Sequence, residues 1–125
     1  MSINNDIMTA LSELDVPVFP DFYDSKIDRY DENGNKLQRL TEWMTFNNVS
    51  DTPSMFADDE DIFSESLFDV HFYSPNGKTA VEMKKKIKKC MRKGGFSIES
   101  AKTEFENNTR LYHTRVSVSR IETEV

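Results

Sequence analysis

The chain has 125 residues, 37% of them apolar and 14 aromatic, with a formal net charge of −6. That length suits one domain rather than two, and the aromatic share is too high for a disordered chain. The acidic balance argues against broad binding to nucleic acid or anionic membranes; the single cysteine, Cys90, excludes an internal disulfide and a cysteine-rich zinc or iron–sulfur site; and no apolar run approaches the roughly 18 residues of a membrane span.

Ile3, Ile7, Met8, Leu11 and Leu14 recur at helical spacing and predict a helix over 3–14, with Asn4 to Asp6 supplying capping groups near its start. Met1 to Asp6 carry neither the basic region nor the apolar segment of a secretory signal. Val16-Pro17-Val18-Phe19-Pro20 follows, and its two prolines, which lack an N–H, suit a short edge strand. Residues 21–36 are polar and contain the turn signal Asn33-Gly34, so they predict a surface excursion.

Leu40 to Val49 predicts a strand with Leu40, Met44 and Phe46 on one side and Trp43 and Thr45 on the other. Two such faces imply that one meets the core and the other a partner or second layer. Ser50 to Glu65 is acidic, interrupted by Pro53 and centred on Asp58, Asp59, Glu60 and Asp61, and predicts a long loop. The clearest strand is Ser66 to Tyr73, with Phe68, Val70 and Phe72 on one face and Leu67, Asp69, His71 and Tyr73 on the other.

Ser74-Pro75-Asn76-Gly77 predicts a turn, and Thr79 to Lys93 a helix. Its apolar stripe is Ala80, Met83, Ile87, Cys90 and Met91, which makes Cys90 a buried thiol; lysines and Arg92 crowd the opposite face. Thr79 and Glu82 have the spacing of a capping box, and Gly94-Gly95 ends the helix. Phe96–Glu104 and Arg110–Ile121 alternate as strands around Asn107-Asn108 and predict an antiparallel hairpin. Together these elements predict one α+β domain over 1–125. It has a mainly antiparallel sheet of about four strands, two helices packed on it, and long surface loops.

No catalytic spacing emerges. There is no Gly-rich phosphate loop, nucleophile elbow or HExxH, and Asp58–Asp61 lack the spacing of an EF-hand loop. His71 and His113 fall on the polar faces of two strands, close enough to meet across a sheet, but a metal would need a further ligand such as Asp69. No enzyme activity, cofactor or metal is expected. The charge is segregated: residues 76–125 carry 12 Lys and Arg against six Asp and Glu, and residues 1–75 carry four against 16. A basic helix face of this kind has three readings: a solvated face balanced within the monomer, pairing with acidic parts of another copy, or phosphate binding.

The order of elements, with four stretches in it, resembles the tail-completion or tail-to-head joining proteins of long-tailed bacteriophages, which are related to tail terminators. The stretches are Leu14-Asp15-Val16-Pro17-Val18-Phe19, Phe68-Asp69-Val70-His71-Phe72-Tyr73, Arg92-Lys93-Gly94-Gly95-Phe96, and Thr109-Arg110-Leu111-Tyr112-His113-Thr114-Arg115-Val116. In the last, Arg110 stands where those proteins usually carry Gly. The resemblance implies a virion protein assembled in the host cytoplasm, without turnover or cofactor. It implies a ring of copies, expected to be a hexamer, at the head-proximal end of the tail. That ring would stop growth of the tail tube, meet the tube protein below and the head connector above, and let DNA pass without sequence-specific binding. No membrane is involved. An acidic inner wall, drawn from residues 58–65, would not adhere to the DNA.

Ring closure needs unlike faces of neighbouring copies to meet. The candidate assembly residues are Trp43, Tyr73, Lys85, Lys88, Lys89 and Arg92, with Asp58, Asp59, Glu60 and Asp61. The alternatives are another neck or connector component, or a nucleic-acid or anion-binding module using the helix at 79–93.

Overall fold

The computed structural model describes residues 3–24, 28–55 and 62–124. Helix α1 (Ile3–Leu11) buries Ile7 and Leu11, one turn apart on a single stripe. The predicted helix over 3–14 is α-helical only this far and continues as a 3-10 turn over Ser12–Leu14. Asp15, at φ 55°, turns the chain out of the helix, and Pro17 then favours extended backbone.

Among the described residues seven strands follow: β1 (Val18–Pro20), β2 (Arg29–Tyr30), β3 (Lys36–Leu37), β4 (Trp43–Met55), β5 (Ile62–Ser74), β6 (Ser97–Glu106) and β7 (Leu111–Glu124). The main sheet has five strands, one more than expected, in the order β1-β4-β5-β7-β6. β1 runs parallel to β4 at one edge, and every other pairing in the sheet is antiparallel. The excursion at 21–36 holds the β2–β3 ribbon. Its turn is tied by Asp31, whose carboxylate accepts the N–H groups of Asn33 and Asn35, with Gly34 at φ 83°.

The expected acidic loop at 50–65 is strand on both flanks: β4 and β5 stay in register from Trp43↔Tyr73 to Met55↔Ile62, apart from a bulge between Asn48 and Ser50. β1 ends at Pro20↔Phe46, so the rest of β4 is a sheet edge, where a proline such as Pro53 is tolerated. β5 is held from the other side by β7 along the same length. Asp58, Asp59, Glu60 and Asp61 lie outside the described residues.

Helix α2 (Gly77–Lys93) packs across one face of the sheet, with α1 beside it. Its start is set by Asn76, whose Oδ1 accepts the Thr79 N–H at 3.0 Å. The expected Thr79–Glu82 capping box is therefore displaced by an N-cap three residues earlier, where the backbone is extended and the cap oxygen can reach back. At the far end Gly94 and Phe96 donate N–H groups to Cys90 and Met91, and Gly95 takes φ 93°. Among the described residues no helix is long and apolar enough to cross a membrane.

The core lies between the helices and the sheet. Met44, Phe46, Phe68, Val70, Phe72, Val116 and Val118 meet Ile7, Leu11, Ala80, Met83, Ile87 and Met91 there. Burying one such large side chain contributes about 1.5–3 kcal/mol. Arg120 closes one end of this layer: it pairs with Asp6 at 2.8 Å and with Glu122, and its guanidinium sits 4.8 Å from the Phe96 ring centroid.

The β6–β7 turn ends on Arg110, at φ 61°, whose N–H donates to Glu106 O at 2.8 Å. A non-glycine residue in this left-handed region is strained by roughly 1–2 kcal/mol, while glycine adds about 0.4–1 kcal/mol of unfolded-state entropy. Arg110→Gly is accordingly expected to stabilise the fold by about 0.5–1 kcal/mol, read as a higher urea midpoint at unchanged slope.

Candidate functional site

Side chains alternate across a strand, so the residues between the core positions form a second face turned away from the helices. The register places them in rows: Trp43, Tyr73, His113 and Glu104, then Thr45, His71, Arg115 and Lys102, then Asn47, Asp69, Ser117 and Ser100. The first row continues sideways into a band of rings. Phe19 stacks on Tyr23 at 4.5 Å, Tyr23 tilts against Trp43 at 5.2 Å, Trp43 stacks on Tyr73 at 5.3 Å, and Tyr73 stacks on His113 at 4.5 Å. Each such contact adds about 0.5–1.5 kcal/mol beyond burial, so this open face has a rigid aromatic floor.

The two histidines meet, as their strand positions suggest. His71 Nδ1 lies 2.6 Å from His113 Nε2, His71 Nε2 lies 2.9 Å from Asn47 Oδ1, and His113 Nδ1 lies 3.2 Å from Glu106 Oε2. The protons of this chain follow the Asn47 carboxamide. With its oxygen toward His71, His71 Nε2–H donates to it, His113 Nδ1–H donates to Glu106, and the one proton between the rings leaves either His71 or His113 an imidazolium. With the carboxamide turned by half a rotation, Asn47 donates, both rings are neutral, and His113 Nδ1–H donates to Glu106.

Burial, reinforced by His113, pushes His71 down to about 4. Burial also lowers His113, against the opposing pull of Glu106, and it raises the Tyr73 hydroxyl. The neutral arrangement therefore prevails near neutral pH.

Above this floor lies a cleft of about 600 Å³. One wall is the chain after β1, Asp21 to Asp24, and the other is Glu106, Asn108, Thr109 and Leu111 around the β6–β7 turn. Phe22 stands at its rim, 75% exposed. Tyr23 Oη is buried without a hydrogen-bond partner among the described residues. Among the described residues no lysine or arginine lines the cleft. Carboxylates on both walls of a cleft attract a cationic side chain. Asp69 accepts from Ser117 Oγ at 2.6 Å, and among the described residues no group of three or more His, Cys, Asp or Glu is arranged to hold a metal ion.

The candidate assembly residues among the described ones fall on two opposite sides of the molecule. Tyr73 is half-buried on the open face beside Trp43. Trp43 is only 6% exposed, flanked by the rings of Tyr23 and Tyr73, and serves as the floor of the cleft. Lys85, Lys89 and Arg92 are exposed on the outer side of α2, and Lys88 is partly covered there. Cys90 is buried in the α2 stripe, and burial together with Glu13 raises its thiol, so it is a poor nucleophile. The sequence reading missed Phe22, Tyr23, Asn47, Glu106 and Asn108. Only the odd-numbered register of Asn47 with Thr45 and Trp43 carried a signal; the others are loop or strand-end residues without periodicity.

The sequence matches no protein-family model and no curated protein.

The depressed His71 makes stability depend on acid. In the unfolded chain the ring titrates near 6.5 and in the folded chain near 4, so the folded state binds fewer protons between those values. Stability is full above about pH 6.5, falls as the pH drops, and has lost its whole His71 share below about pH 4. Allowing for solvent screening, the share is on the order of 1–2 kcal/mol. Urea titrations of wild type and His71→Gln across this window are expected to show a shallower acid slope in the variant.

Proposed function

We propose that this protein is a structural subunit of the neck of a long-tailed phage, where copies form a ring that ends the tail tube and joins it to the head connector. The observation that carries this reading is the outer surface of α2. Lys78, Lys84, Lys85, Lys86, Lys88, Lys89 and Arg92 take part in no ion pair among the described residues, although the whole chain is acidic. Among the described residues the one basic α2 residue that is paired is Lys93, with Glu13 at 2.9 Å. A cationic face without ion pairs among the described residues, on an acidic protein, supports charge pairing between copies over balance within one.

Two further features support it. The chain exposes 8239 Å², against about 6,900 Å² for a compact monomer of this mass, as suits a subunit whose surface is covered on assembly. Its basic helix side and its aromatic sheet side are unlike and opposed, which is the arrangement that heterologous ring contacts require. The resemblance of the Leu14–Phe19, Phe68–Tyr73 and Thr109–Val116 stretches to tail-completion proteins supplies the place of the ring. In this reading the DNA passes through the lumen and the protein turns over no substrate.

The test adds purified protein to tail tubes and images the tube ends. Ring-shaped caps that halt further tube growth are expected, and tubes that elongate unchecked would overturn the reading. Lys85→Glu/Lys89→Glu/Arg92→Glu, all exposed, is expected to keep its stability within about 0.5 kcal/mol while losing capping. A persistent monomer that binds duplex or single-stranded DNA in a salt-sensitive way would instead favour an anion-binding module on α2.

A further inference from the structure

We infer that the cleft on the open sheet face is the receptor for the basic outer face of α2 from a second copy of this chain. The inference rests on the ring reading above and names the two surfaces that meet. The cleft suits a cation: Asp21 and Glu106 stand on its two walls, and among the described residues no lysine or arginine lines it. Asp21 is exposed at the edge of the cleft. Glu106 is held in place by its contacts to His113 and to Thr109 Oγ1, so its charge is fixed beside the floor.

The same chain supplies the matching surface. Lys85, Lys89 and Arg92 recur at helical spacing on the exposed side of α2, without ion-pair partners among the described residues. One turn before Lys85 stands Val81, 43% exposed, and at the rim of the cleft stands Phe22, 75% exposed. An apolar residue beside a row of cations therefore matches an aromatic residue beside Asp21, with Glu106 on the opposite wall. A lysine or arginine entering between Asp21 and Glu106 gains from the charge of both carboxylates.

The helix and the cleft lie on opposite sides of one sheet. A contact between them cannot be reciprocal within a pair, so each copy offers its helix to one neighbour and its cleft to the other. Such a head-to-tail contact closes into a ring or runs into a filament according to its rotation. Because the contact is electrostatic at its edge, association strengthens as salt is lowered.

The test is a charge exchange read by sedimentation velocity at low ionic strength. Wild type is expected to self-associate, and added salt to disperse it. Lys85→Glu/Lys89→Glu alone and Asp21→Lys alone are each expected to weaken association by about tenfold or more. A chain carrying all three changes restores opposite charge across the contact and is expected to recover association. Circular dichroism on each variant checks that the fold is kept. A wild type that stays monomeric at low salt, reversals without effect, or a triple variant no better than its parents would each overturn the inference. Tail tubes capped by a protein whose charge exchange fails would remove this contact and leave the ring reading; rescued self-association with uncapped tubes would do the opposite.

Discussion

The long antiparallel pairing of β4, β5 and β7 is the constraint on which the rest of the molecule depends. Once Trp43 is opposite Tyr73 and Tyr73 opposite His113, alternation decides every other assignment along these strands. Phe46, Val70 and Val116 must face the helices, and Thr45, His71 and Arg115 must face away. A slip by one residue would send the apolar set into water and the histidines into the core, so burial of the one face fixes the composition of the other. The polar chain from Asn47 to Glu106 is thus held by apolar packing on the far side of the same strands.

The core was legible because its signals are periodic. Phe68, Val70 and Phe72 alternate without interruption, and Ala80, Met83, Ile87 and Met91 keep a helical stripe, so both elements and their inner faces could be read directly from spacing. The far half of β4 and the start of β5 were not legible, since acidic residues and Pro53 are loop signals in a local window. Their strand character comes from pairing with each other and with β7, a non-local cause. The start of α2 was misplaced for a related reason: Thr79 and Glu82 satisfy a local capping pattern, but the turn geometry puts the Asn76 oxygen at the orphan N–H first.

The site divides in the same way. The meeting of His71 with His113 could be suspected from two strands with matching parity. Its partners could not: Glu106 is the last residue of β6, and the Asp21–Asp24 wall follows the edge strand β1, where no repeating pattern exists. Trp43 drew attention as an aromatic residue on a mixed strand, and only the neighbouring Tyr23, from a segment read as an excursion, shows why it is covered. The basic face of α2 was fully legible, because charge on a helix needs only the helical period to be located.

The position of α1 has a consequence for the newly made chain. Ile7 and Leu11 are buried in the layer shared with α2, and Asp6 pairs with Arg120. Asp6 of α1 therefore gains its Arg120 partner only when β7, more than a hundred residues later, has been synthesised. Contacts this distant along the sequence slow folding, and until they form, the amino-terminal apolar stripe stays open to water and to nonspecific capture by other nascent chains.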